Sequence, residues 1–174
     1  MVDETMIDEK APSRWAAAGR TARWLLGALS LVCGVTWILV TVHSPSAAVD
    51  LTVGAVFAAA GLVLLMPHRI RLPRLVTAIV MAMVAIAGAA AGLARGTVRV
   101  GEYAYIADRG FPVAWVQRGA IAEDAATAER LARSANWTLD LISLATNLLF
   151  WAYVGMIFVV VAVLIQRKAQ ESRR

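Results

Sequence analysis

The sequence predicts an all-α membrane protein: a four-transmembrane-helix bundle with a small extracytoplasmic cap, a β-hairpin plus a helix, between helices 3 and 4. Three observations lead there. Four apolar runs, Trp24–Val42, Ala47–Met66, Leu75–Ala94 and Leu141–Ile165, fill most of the chain. Each is long enough to cross the roughly 30 Å hydrocarbon core as a helix. The basic residues are distributed unevenly between the connecting segments, and one polar stretch, 95–140, carries strand and helix signals of its own.

The domain organisation follows in chain order. Residues 1–23 form a cytoplasmic N-terminal segment, partly disordered because 1–12 hold four acids and little that could be buried. Residues 24–94 hold transmembrane helices 1–3. Residues 95–140 are the cap, 141–165 are transmembrane helix 4, and 166–174 are a cytoplasmic basic tail. The first run could be read as a secretory signal, since Arg20 and Arg23 precede it and Ser46-Ala47-Ala48 follows. Its apolar length exceeds the roughly 7–15 residues of a signal core, which favours a retained span.

Charge orients the spans. The segments 1–23, 67–74 and 166–174 hold 11 Lys and Arg residues, the loop 43–46 holds none, and 95–140 holds six balanced by six acids. The positive-inside rule puts both termini in the cytoplasm and 95–140 outside, in a plasma (inner) membrane. Arg outnumbers Lys 15 to 2 and Ala is abundant, a bias that fits a high-GC bacterial genome. The net charge of +5 therefore tracks topology and gives no nucleic-acid reading. Trp24 and Trp137 sit where spans begin, at the levels that indoles favour. Ser13 could cap a short interfacial helix through Trp15 and Arg20 into the first span.

Within the spans, small residues allow close helix approach. Gly88 and Gly92 make a GxxxG in the third run, Gly27 and Gly34 lie one heptad apart in the first, and Gly54, Ala58 and Gly61 lie in the second. Packing inside one bundle explains them more simply than a dimer face, although the sequence leaves open whether Gly88 and Gly92 pack within or between chains. Polar residues in or beside the spans are few. Asp50, Asp140 and Asn147 form a candidate polar cluster in the outer half, with Asp140 and Asn147 seven residues apart on one helix face. The blander expectation is that the aspartates meet water or headgroups, while the Asn147 amide bonds to a neighbouring helix.

The cap reads as follows. Val98–Ile106 alternates partly, Asp108-Arg109-Gly110 is a turn, and Phe111–Val116 is the return strand, with Pro112 at its start. Ile121–Ala135 is a helix with acids early and arginines late. Tyr103, Tyr105, Phe111 and Trp115 form a candidate interaction surface, being residue types enriched at interfaces.

No catalytic residue, cofactor or metal ligand is expected. Cys33 is alone, His43 and His68 fall on opposite sides of the membrane, and H-E-x-x-H, C-x-x-C, G-x-S-x-G and P-loop patterns do not occur. Composition thus points to a non-enzymatic accessory subunit or interaction module, with the lipid bilayer and a membrane-protein partner or a homo-oligomer as partners. The alternative is an oligomeric small-solute transporter or channel component. An intramembrane enzyme is weaker still, because only Asp50 and Asp140 could supply paired acids.

Overall fold

The computed structural model describes residues 14–43, 47–66 and 73–173. The expected disorder of 1–12, the Ser13 cap and the basic residues of 67–72 lie outside the described residues.

Four long helices are present: α1 (Arg14–Thr41), α2 (Ala47–Leu65), α3 (Arg74–Gly92) and α5 (Leu141–Glu171). All four are long and apolar enough to cross a membrane, as a multi-pass membrane protein requires. Two run well past the sequence boundaries. α1 begins at Arg14, so the stretch around Trp15 continues the first span without a break. α5 runs through the basic tail to Glu171, because Gln166–Glu171 contains no Gly or Pro to stop it.

α1 packs along α2, α3 packs along α5, and α2 and α5 join the two pairs. Bare backbone makes the first contact. A Cβ at Gly34 would lie 2.5 Å from the Ala58 nitrogen and 2.6 Å from the Gly54 oxygen, and one at Gly61 would lie 2.6 Å from the Leu31 nitrogen. Gly27 opposes Gly61 and Gly34 opposes Gly54, which is an antiparallel register. Arg23 adds a bond from its Nε to the Leu64 carbonyl oxygen at 3.0 Å. The GxxxG of α3 is used within the chain: the Trp151 indole covers Gly88, and the Phe111 backbone lies against Gly92. Gly155 of α5 in turn approaches Met81 and Val84 of α3.

Where α2 and α5 meet, Ala60, Tyr153 and Met156 are buried among Phe57, Leu64, Met81 and Leu149. The Phe57 ring stands edge-on to Tyr153 at 5.5 Å. Ser30 Oγ and the Tyr153 hydroxyl share a buried hydrogen bond of 2.6 Å, which ties α1 to α5. Threonines in the helices satisfy themselves locally, as Thr52 Oγ1 does on the Ala48 oxygen and Thr77 Oγ1 on the Pro73 oxygen.

The segment between α3 and α5 holds more strand than the expected hairpin, within a chain that is otherwise helical. It holds a four-stranded antiparallel meander, β1 (Gly96–Val100), β2 (Ala104–Arg109), β3 (Val116–Ile121) and β4 (Thr138–Leu139), with α4 (Ala125–Ser134) against β2 and β3. The expected first strand is two strands. Gly101 N–H donates to the Ala104 oxygen at 2.8 Å and closes a tight turn at Gly101–Tyr103. The partial alternation carries on past that turn because both flanks are strand-like, so periodicity could not find it. Asp108 and Arg109 are the end of β2, not a turn, and pair with Gln117 and Val116. Phe111–Trp115 is a loop: Gly110 has φ +130, and Pro112 brings no N–H to a ladder. The true third strand contains Arg118 and Gly119, poor strand signals that hid it. α4 starts late because Asp124 is its N-cap, with Oδ1 accepting from Thr127 N–H at 2.8 Å, which leaves Ile121 to β3.

The glycine seam makes a prediction. Gly34→Val should lower the thermal midpoint in detergent, corresponding to about 1–3 kcal/mol of overpacking. Gly19→Ala, at a position with nothing within 4 Å, should be neutral or mildly stabilising. Equal midpoints for the two variants would exclude the close α1–α2 contact.

Candidate functional site

The functional question centres on how the sheet is attached to the long helices and what it leaves uncovered. Asn147 lies on α5 and is completely buried. Its Nδ2 donates to the Val113 oxygen at 2.6 Å, and its Oδ1 accepts from Val113 N–H at 3.1 Å. One amide thus satisfies both backbone groups of a residue in the Phe111–Trp115 loop. This corrects the expectation that Asn147 bonds to another helix: its partner is the loop from the sheet. The signal that could have pointed there is Phe111-Pro112-Val113, an apolar stretch with a broken ladder, which must satisfy its backbone elsewhere.

One turn further along α5, Trp151 Nε1 donates to the Phe111 oxygen at 3.2 Å. The Phe111 ring lies beneath the Arg95 guanidinium, 4.5 Å from its centroid. Asn147, Trp151 and Gly92 therefore hold the same short loop from two helices. Beside it, Ala48, Thr52, Val53, Phe150 and Val154 line an apolar crevice with Phe111.

Asp140 and Asn147 turn to different partners. Asp140 is the N-cap of α5: Oδ1 accepts from the N–H groups of Ile142 at 2.9 Å and Ser143 at 3.1 Å, and Oδ2 accepts from Ser143 Oγ at 2.8 Å. The Ser143 hydroxyl, helped by the two amides, holds the carboxyl below its ordinary value. Asp124 is also lowered, first by the Thr127 N–H and then by the Thr127 hydroxyl. Asp50 lies in the first turn of α2, half-buried.

The four candidate interface aromatics do not share one surface. Tyr103 is exposed on the Gly101–Tyr103 turn, where its hydroxyl donates to Glu102 Oε1 at 3.1 Å. Tyr105 is half-buried in β2, Phe111 is in the joint, and Trp115 packs toward Gly110. Trp137 lies between the guanidinium groups of Arg109 and Arg118, at 5.0 and 4.5 Å from its centroid. Asp108 is buried and carries the Arg99 ion pair across the β1–β2 hairpin. Among the described residues, three or more His, Cys, Asp or Glu side chains do not converge as a metal site would need.

Two outcomes follow. Asn147→Leu should orphan both backbone groups of Val113, costing about 1–3 kcal/mol for each group left buried. It should speed hydrogen exchange across 110–115, and Asn147→Asp should be worse because it replaces the donor with a charge facing a carbonyl. Unchanged exchange in Asn147→Leu would refute the joint. The Asp140 cap is pH-dependent. A depressed carboxylate contributes stability above its unfolded value of about 3.9 and loses it as pH falls through the lower folded value. Acid melts followed by circular dichroism should show a smaller loss for Asp140→Asn than for wild type, since Asn caps without titrating. Across known proteins, no family model, curated sequence or solved structure matches the chain.

Proposed function

We propose that this chain is a non-enzymatic accessory subunit or interaction module of the plasma (inner) membrane, recognising a protein partner through the cap formed by β1–β4 and α4. In this reading the cap lies on the extracytoplasmic side and both termini lie in the cytoplasm. The charge asymmetry of the connecting segments supports that orientation. The observation that carries the function is the joint at Val113. Two hydrogen bonds from one buried amide fix the cap to α5, while Tyr103 and β1 on its far edge stay uncovered. A rigidly mounted small domain with exposed apolar residues suits recognition, because little ordering entropy remains to be lost on binding. The polar groups inside the helices support the same reading, since Ser30, Tyr153 and Asn147 are occupied in holding helices and loop together, and Thr77 is satisfied within its own helix.

The test is photo-cross-linking in native membranes from position 103, with position 129 on α4 as the comparison. A discrete adduct from Tyr103 alone is expected. Absence of any adduct from either position, with solute flux in proteoliposomes, would replace this reading by the transporter alternative. A cysteine at position 103, labelled in whole cells by an impermeant reagent that leaves position 172 untouched, reads the orientation in the same variants.

A further inference from the structure

The outer edge of β1 has a specific and symmetric form. β1 is the edge strand of the sheet and is exposed along its whole length. Its backbone bonding to β2 can be followed residue by residue. Gly110 N–H donates to the Arg95 oxygen at 3.2 Å, and Gly101 N–H donates to the Ala104 oxygen at 2.8 Å. With Gly96 opposite Arg109 and Val100 opposite Tyr105, the alternation of an antiparallel ladder turns Thr97 and Arg99 inward to β2. Gly96, Val98 and Val100 then present their N–H and C=O groups to the open side. These three lie symmetrically about Val98, the centre of the strand.

The side chains repeat this arrangement. Val98 and Val100 are 56% and 63% exposed, and they share the sheet face that carries Ala107 and Tyr105. α4 packs on β2 and β3 and not comparably on β1, and it lies on that face, since Arg118, opposite Ala107, donates to the Arg133 oxygen. An uncovered apolar edge with free backbone donors and acceptors readily pairs with another strand.

We infer that the occupant is a second copy of this chain, whose β1 pairs antiparallel with this one across a two-fold axis at Val98. In that register Val98 faces the partner's Val98 and Gly96 faces the partner's Val100, so every outward backbone group finds a complement. The four valines of the two copies meet on the α4 side and cover one another. Thr97 falls opposite the partner's Arg99, so no like charges oppose each other, and each Arg99 keeps its own Asp108. The membrane assists, because two copies inserted the same way up carry β1 at the same depth and meet in two dimensions. The two-fold of such a pair is perpendicular to the sheet, so the pairing requires the edge of the sheet to lie flat along the membrane plane. This inference rests on the cap being a recognition surface and names what it recognises.

The register supplies the experiment. Opposed residues that exchange backbone bonds have Cα atoms about 5.5 Å apart, inside the disulfide window of about 4.4–6.8 Å. Residue 97 faces residue 99 of the other copy, so two copies of residue 97 are diagonal and out of reach. In a Cys33→Ser background reconstituted in vesicles, mild oxidation should join Val98→Cys chains to each other and leave Thr97→Cys chains separate, though both sites are exposed. Val98→Pro removes only an outward N–H, so it should keep the fold by circular dichroism and convert a dimeric particle in nanodiscs to a monomer. Equal cross-linking at 97 and 98, or none at either, overturns the inference. A Val98→Cys adduct with a different protein in native membranes overturns the second copy as occupant and leaves the recognition reading intact. Failure of that reading shows instead as no adduct of any kind from position 103.

Discussion

The arrangement of the cap depends on one buried amide. Asn147 sits on an otherwise apolar stretch of α5, where an unsatisfied polar group is expensive. Val113 sits in a loop whose backbone has left the sheet and has the complementary deficit. Each removes the other's penalty, and the pairing works only with the loop in one place. The Trp151 bond to Phe111, the Arg95 contact on the Phe111 ring and the close approach at Gly92 then fall around a loop already located. The sheet itself makes little direct contact with the long helices, so its position is inherited from that loop and from the short links at its ends.

A second constraint governs α1 and α2. Backbone approaches backbone where Gly34 meets Gly54 and Gly61 meets Gly27, and in a lipid setting such closeness replaces the hydrophobic drive that is missing between apolar helices. The Ser30–Tyr153 bond then connects this pair to α5. Ser30, Tyr153 and Asn147, buried in the helices, thus each hold two segments together, while Thr77 bonds within its own helix.

The helical part was largely legible because span length and hydropathy are properties of composition, which survive ignorance of packing. The sheet was legible only as strand content. Gly101–Tyr103 turns the chain within a run that reads as one strand, Arg118 and Gly119 lie in a strand that propensity does not favour, and β4 is two residues long. Pairing partners far apart in sequence decide such strands, and a local pattern does not contain them. The site was half legible. Asn147 stood out as a polar residue among apolar ones, but its partner is a backbone, and backbone partners leave no mark on side-chain identity. Ser30 and Tyr153 gave no sign, since either could have faced a carbonyl or an interface.

The unequal helices have a consequence for the surrounding lipid. α2 and α3 have 19 residues each, whereas α1 has 28 and α5 has 31. At about 1.5 Å per residue the shorter pair spans just under 30 Å, with no surplus to absorb by tilting. A thicker bilayer would have to thin locally around α2 and α3, while α1 and α5 would slide through it unchanged. The chain therefore carries a one-sided preference for thin membranes, set by its two shortest helices.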